Sequence, residues 1–427
     1  MKVLSLFDGM SCGAMAFKKA AIDVERYVAY EIDKYAIKVA DYNFPNIERE
    51  DDGDVFHADF TKYKGFDALI GGSPCTKFSI ARNKTRETSI NGVGGNLFLQ
   101  YYRALKESEP KFFIYENNYS MHDNIKRSIS ECFGFEPVMI NSSLVSGQNR
   151  KRYYWVGIRN EDGTYRRANI PQPEDKGIFL KDILEDTSKL VADPVAVAYR
   201  SRFDGEKNTK RYESNGNKSN CLTTVRTDSM VAEPIEVVGM KFEVTDVNDR
   251  DSGVCGHINM NTTHEMITRI YCRDGKSPTI TTCCGGHHQP KVFSKVEDVR
   301  TKNKVPIYDV VDGMMELKGK KYPIKLDDGR YIVRKLTVEE CKRLQTIPDD
   351  YDISIISNSQ GYKCIGNGWT VDVIAHIIKC TIDDMNNNTV KYSKQHTIYD
   401  EYDGRRVQSK CLEIAQRHQR RDLQTQL

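Results

Sequence analysis

Short apolar runs alternate with helix-period stretches through the first 160 residues, and the runs end in glycine or polar residues. Lys2–Val3–Leu4–Ser5–Leu6–Phe7 reads as a first strand, followed by the turn Asp8–Gly9–Met10–Ser11–Cys12–Gly13 and a helix starting near Ala14. Tyr27–Val28–Ala29–Tyr30 reads as a second strand ending at Glu31, and His57–Ala58–Asp59–Phe60 as a third with an acidic end. Ala68–Leu69–Ile70 is a buried strand that empties into Gly71–Gly72–Ser73–Pro74–Cys75. Further strands are predicted at Lys111–Phe112–Phe113–Ile114–Tyr115, which runs into Glu116–Asn117, and at 135–140 and 153–158. Helical patterns at 34–43, 97–108 and 121–133 lie between them. Strand and helix in alternation predict an α/β fold with a mostly parallel sheet.

The rhythm changes after residue 160: Pro171, Pro173 and Pro194 interrupt the chain, and Asn, Thr and Gly become frequent. Here Lys218–Ser219–Asn220–Cys221–Leu222–Thr223–Thr224 is echoed by Lys276–Ser277–Pro278–Thr279–Ile280–Thr281–Thr282. Periodicity returns at 335–345, where Thr337 and Glu340 form a capping box ahead of a helix. Gly366–Asn367–Gly368–Trp369 reads as a turn before a final apolar helix at 371–382. Residues 386–427 form a polar tail with one helical stretch near 407–422. The expected division is a domain of 1–170 plus 334–385, a smaller loop-rich domain of 171–333, and the tail.

With 427 residues the chain can bury a core of that size. A net charge of +3 does not by itself demand a polyanionic partner, although 29% charged residues allow a local basic face. Twelve cysteines without a CxxC pair suit neither a disulfide framework nor a zinc site, and His287–His288 lacks a third ligand at metal spacing. No metal is expected. MKVLSLF does not resemble a signal peptide, and no apolar stretch approaches the ~20 residues of a membrane span. The expectation is a soluble protein of the cytoplasm with reduced thiols.

A glycine turn after a first strand, with a carboxylate about twenty residues further on at the end of a second, suits a ribose-bearing ligand. Acidic strand ends at Glu31 and Asp59 repeat that signal and point to an adenosine group. Cys75 follows glycines that permit close approach and a proline that stiffens the loop, at the strand end where open α/β sheets keep their chemistry. A thiolate there can add to an electron-poor ring while a carboxylic acid supplies a proton. For cytosine the logic is specific: C5 is not nucleophilic until a group adds at C6, and protonation at N3 favours that addition. Arg150 and Arg152 carry positive charge of the kind that lowers a thiol pKa from its free value of about 8.5.

These residues, in this order, resemble the cytosine-C5 DNA methyltransferase family. Phe7–Asp8–Gly9 looks like its first cofactor motif, Glu31 its ribose acid, Asp59 its acid near the adenine, and Pro74–Cys75 its nucleophile loop. Leu97–Phe98, Glu116–Asn117, Gln148–Asn149–Arg150–Lys151–Arg152, the 334–345 segment and Gly366–Asn367 follow in the family's order. The resemblance covers 1–160 and 334–385 and implies a Rossmann-like sheet that uses S-adenosyl-L-methionine, with a smaller target-recognition domain facing double-stranded DNA. It implies Cys75 as nucleophile, Glu116 as the acid at N3, and Arg150 and Arg152 as orienting groups for a cytosine turned out of the stack. Phe7, Asp8, Gly9, Glu31, Ile32, Asp59, Phe60, Pro74, Leu97 and Asn367 would hold the donor. Thr223, Thr224, Arg226, Thr281, Thr282, His287 and Gln289 would meet DNA, with Arg226, His287 and Gln289 offering donors and acceptors for base edges. A monomer of bacterial or bacteriophage origin is implied, with room for a cognate restriction endonuclease acting separately.

The chain departs from the family pattern at Ser11–Cys12, where glycines are usual, at Thr76, where glutamine is usual, and at Asn118, where valine is usual. The first two make those motifs look closer to animal de novo methyltransferases. A transfer-RNA methyltransferase of the same fold would share most motifs, but the long 161–333 insertion argues for duplex DNA.

Overall fold

The protein is described here from a computed structural model, over residues 1–50, 52–74, 78, 87–185, 195–203, 208–213, 230–235, 256–257, 269–270, 307–317, 320–323, 328–334 and 336–388. These fall into two compact units: Met1–Ile140 with Lys151–Pro173 and the described part of Val371–Leu427, and Asn141–Arg150 with the described part of Glu174–Thr370.

In chain order the first unit holds β1 (Lys2–Leu6), α1 (Cys12–Lys19), β2 (Arg26–Tyr30), α2 (Lys34–Asn43), β3 (Glu48–Arg49), β4 (Ala68–Gly71) and α3 (Val93–Ser108). It continues with β5 (Phe112–Asn118), α4 (Asp123–Phe133), β6 (Val138–Asn141), β7 (Lys151–Arg159) and β8 (Tyr165–Arg167). The sheet order is β3-β2-β1-β4-β5-β7-β6, with β8 on β7. Pairings from β3 through β5 are parallel, whereas β7 runs antiparallel to both β5 and β8. β4 and β5 are buried along their whole length, as strands covered on both faces must be. Phe98, Tyr101, Phe113, Tyr115, Phe133 and Trp155 form the aromatic centre of this core, in mostly edge-on or tilted pairs. Gly134, with φ +86°, ends α4, and the N–H groups of Gly134 and Phe135 both donate to the Ser130 carbonyl. That termination explains why β6 begins at Val138 and not at Phe135.

The expected strand at 57–60 is absent. Asp59 instead caps a 3-10 turn (Phe60–Tyr63), accepting from the Thr61 N–H at 3.0 Å and its hydroxyl at 2.6 Å. Such local side-chain bonds compete with a strand ladder. The third strand is the two-residue β3, too short to show a period.

In the second unit, β9 (Val195–Phe203), β10 (Asn208–Glu213), β11 (Met230–Ile235), β12 (Gly256–His257) and β13 (Arg269–Ile270) precede β14 (Ile307–Val311), β15 (Met314–Leu317), β16 (Lys320–Pro323) and β17 (Gly329–Arg334). Seven of them form an antiparallel sheet, order β10-β9-β11-β17-β14-β15-β16, while β12 and β13 pair separately. α5 (Val338–Leu344) starts with the expected box: Glu340 N–H donates to the Thr337 hydroxyl and Thr337 N–H to the Glu340 carboxylate. α6 (Asn358–Asn367) takes in Gly366 and Asn367, so the turn read there begins only at Gly368. α7 (Val371–Asn388) belongs to the first unit, outlasts its expected end, and packs against α1. The two repeats at 218–224 and 276–282 and the tail helix lie outside the described residues.

Candidate active site

Two groups of side chains gather at carboxyl ends of strands in the first unit. The first is the turn after β1. Phe7, Gly9 and Ser11 all have positive φ, +56°, +58° and +60°. For the two non-glycine residues this costs on the order of 1–3 kcal/mol each, so the surroundings must hold the turn in place. Glu31, at the end of β2, does part of that: its carboxylate accepts from the N–H groups of Gly9 (2.7 Å), Ile32 and Asp33 (2.8 Å each). Burial pushes the Glu31 carboxyl up, and these backbone donors pull it back. Gly53, at φ +64°, lies so close to the Glu31 backbone that a Cβ would collide with it. Asp8 turns its carboxylate inward, where Ser5, Ser11 and Tyr27 donate to it.

Ile32 stands 74% exposed beside Glu31, an apolar surface next to a carboxylate. Asp59 is exposed, and its bonds to Thr61 hold its carboxyl below the usual range. Phe60 is different from expectation: its ring is fully buried between Tyr30 and Arg103, whose guanidinium lies 4.6 Å from the ring centroid. Its side chain therefore belongs to the core. Arg103, itself buried, donates to the carbonyls of Val55 (2.7 Å) and Ala58 (2.9 Å) and so fixes the approach to Asp59. Leu97 is half-buried on α3, and Pro74 is exposed.

The second group is built by the antiparallel β5–β7 register, which sets Asn118 opposite Arg152 and Glu116 opposite Tyr154. Opposed residues share a sheet face, so Glu116 and Arg152 are diagonal neighbours. Arg152 Nε lies 2.9 Å from Glu116 Oε1, and each side chain is only 12% exposed. Beneath the Pro74 loop, the hydroxyls of Ser73 and Tyr115 are 2.6 Å apart, and Asn117 Nδ2 donates to Tyr115 Oη at 3.1 Å and to the Ser73 carbonyl at 3.3 Å. Tyr101 Oη donates to the carbonyls of Leu69 and Ile114, tying β4 to β5. A side chain at Gly71 would strike the Leu6 carbonyl and the Tyr101 ring. Cys75, one residue past Pro74, lies outside the described residues, as do Thr223, Thr224, Arg226, Thr281, Thr282, His287 and Gln289.

Within the second unit the buried Arg150 donates to the carbonyls of Gly366 (3.4 Å) and Gly368 (2.8 Å), and Gln345 Nε2 to those of Ile365 (2.9 Å) and Gly368 (3.2 Å). Those bonds fix the end of α6, where Asn367 is exposed. Arg150 thus holds a backbone segment. Reading the sequence missed Ser73, Tyr101, Arg103 and Tyr115, because each is tied to groups far along the chain: Ser73 and Tyr115 to each other, Tyr101 and Arg103 to backbone carbonyls. Among the described residues no group of three or more His, Cys, Asp or Glu is placed to hold a metal, and no helix is long and apolar enough to cross a membrane.

The first unit has the methyltransferase fold. Entamoeba histolytica methyltransferase EhMeth superposes with a TM-score of 0.50 at 15% identity, over 90% of this chain and 98% of that one. A mutant of Spodoptera frugiperda DNMT2 gives 0.50 at 18% identity, over 89% and 99%. The family itself follows from sequence: the model of the C-5 cytosine-specific DNA methylases matches residues 1–383, and the chain belongs to that family. It is a DNA cytosine-5 methyltransferase. Similar proteins include the orphan methyltransferase M.SPRI of Bacillus phage SPR, 28% identical over 455 residues (89% of this chain, 97% of that protein). The orphan methyltransferase M.Rho11sI of Bacillus phage rho11s is 28% identical over 505 residues, with the same coverage.

Proposed function

We propose that this enzyme transfers a methyl group from S-adenosyl-L-methionine to C5 of a cytosine rotated out of duplex DNA, through a covalent Cys75 adduct at C6. The observation that carries the reading is the Glu116–Arg152 pair, a carboxyl group held by a guanidinium at 2.9 Å at the end of β5. The donor, when bound, supplies an electrophilic methyl group. The residues suit it: the exposed Ile32 offers an apolar face for an adenine, Glu31 a carboxylate for the ribose hydroxyls, and the turn 7–11 its backbone. Asp59, Pro74, Leu97 and Asn367 are assigned to the same ligand, and Phe60 to the core.

Cys75 attacks C6 as the thiolate while Glu116, as the acid, hydrogen-bonds and protonates N3, so that electron density moves to C5. C5 then takes the methyl group; loss of the C5 proton to a base, expulsion of Cys75 and return of the N3 proton to Glu116 restore the aromatic ring, the thiolate and the acid. Arg152 keeps the Glu116 carboxyl aimed. The base must leave the stack because a thiol cannot reach C6 inside it, at a cost of a few kcal/mol offset by protein contacts. Thr223, Thr224, Arg226, Thr281, Thr282, His287 and Gln289 are assigned to DNA contact. Cys75→Ser tests the mechanism through tritiated methyl incorporation into plasmid DNA. The loss should be several orders of magnitude with donor binding retained, and a variant keeping more than about a tenth of the rate would refute the covalent route.

A further inference from the structure

Asp8 and Arg49 form a buried charge pair beneath the turn after β1. The Asp8 side chain is wholly inaccessible, and it accepts from the hydroxyls of Ser5 (2.7 Å), Ser11 (2.5 Å) and Tyr27 (2.7 Å). Arg49 on β3 brings Nη1 to 3.7 Å from Asp8 Oδ2, while its Nε donates to Asp41 on α2 at 2.5 Å. Both terminal nitrogens of Arg49 are buried and, among the described residues, have no hydrogen-bond partner. A buried guanidinium with unsatisfied donors is costly, and its placement calls for a reason.

Electrostatics supplies one. Three hydroxyls can all donate to a carboxylate, but a protonated carboxyl is itself a donor and must reverse or lose one of those bonds. Ser11 is a left-handed residue of the turn, and Ser5 lies on the strand that feeds it. The shape of the turn is thus tied to the charge on Asp8. Burial drives the Asp8 carboxyl above the usual carboxylate range, and the charge of Arg49 is the largest influence pulling it back. The other titratable groups around the pair are Tyr27 and Glu31 on the β2 side and Asp41 on α2. Of these groups Arg49 alone brings positive charge.

We propose that Arg49 is a positioning residue for methyl-donor binding: its charge keeps Asp8 ionised, and ionised Asp8 holds the 7–11 turn in the shape that receives the donor. This rests on the donor-binding reading above. The test is calorimetric titration of the full-length protein with S-adenosylmethionine between pH 6 and 8.5, for wild type, Arg49→Met, Arg49→Lys and Asp8→Asn/Arg49→Met. Without Arg49, Asp8 takes up a proton at higher pH, so donor affinity of Arg49→Met should fall as pH falls, by up to about tenfold per unit. Wild type should be nearly flat over that range. Arg49→Lys, which keeps the charge, should stay within about threefold of wild type. The double variant has no acid to titrate and, because an Asn amide is itself a donor as a protonated carboxyl is, should be flat with pH and no tighter than Arg49→Met at pH 6.

A loss in Arg49→Met that is independent of pH overturns the proposal, since it would mark Arg49 as packing only; so does unchanged affinity at pH 6, or a double variant that binds the donor as tightly as wild type. If Arg49→Met does not fold, folding of the double variant still supports the charge pairing, and failure of both overturns it. Absence of donor binding by wild type would instead sink the donor-site reading itself.

Discussion

At the scale of single residues, the groups assigned to the chemistry are distinct from the groups that hold them in place. Glu116 is assigned the proton at N3, and Arg152 fixes one of its oxygens at 2.9 Å. Glu116→Gln preserves size and one acceptor but has no carboxyl proton to give. Single-turnover methylation should slow by about 10²–10⁴-fold, the usual range for a lost general acid, with donor affinity unchanged. A rate within a factor of a few of wild type would remove Glu116 from the mechanism. Glu31 holds the Gly9, Ile32 and Asp33 amides and is assigned the donor's ribose. Glu31→Ala should weaken S-adenosylmethionine by ~1.5–3 kcal/mol, the scale of a hydrogen bond to a charged group, while DNA affinity changes little. Calorimetric titration of each ligand separates the two, and unchanged donor affinity removes Glu31 from that site. The residues assigned to the chemistry were legible because polar groups at strand ends interrupt an apolar pattern. The aiming residues were not: Arg103 finds its acceptors on Val55 and Ala58, and Arg49 meets Asp8 across β1, β2 and β3. No local pattern encodes such long-range pairs.

At the scale of elements, strands with strong apolar runs and helices with a clear period emerged near their expected places, and the misses have physical causes. β3 is too short for periodicity, Asp59 diverts its segment into a capped turn, and α6 carries glycines that argue against a helix until packing overrides propensity. α7 shows what packing adds. Its Asp384 accepts from Arg166 Nη1 at 2.8 Å and Nη2 at 3.3 Å, and from the Asn169 N–H at 2.9 Å, and near its start Asp372 pairs with Lys19 of α1. Asp384 is nearly buried, so removing it strands a cation and a backbone donor. Asp384→Ala should lower stability by about 2–3 kcal/mol, as expected for lost charge-assisted bonds. Urea unfolding followed by circular dichroism measures this, and an unchanged midpoint would show that the apolar face of α7 docks it alone.

At the scale of the whole molecule, the chain leaves the methyltransferase fold twice and returns to it at α7, so the second unit is built from 141–150 and the described part of 174–370. The catalytic groups treat every cytosine alike, and selection among sites must come from contacts to neighbouring base pairs. We assign that role to 171–333, and within it to 225–228 and 283–289, which follow the two Lys–Ser…Thr–Thr repeats. Threonine and glycine runs admit close approach to a groove, and Arg226, His287 and Gln289 carry the polar atoms that base edges require. Exchanging 171–330 for the matching segment of a relative with a different target should move the methylated sequence with the segment, as read by bisulfite sequencing of plasmid DNA. The exchange leaves Glu116, Arg152 and the 7–11 turn untouched, and it also leaves α5, Gln345 that follows it, and α6 with Asn367. An active hybrid that kept the original site would place recognition in that retained chain or in the 386–427 tail. Methylation at the donor's site, by contrast, would confine recognition to the exchanged segment, since no other group in the hybrid would have changed.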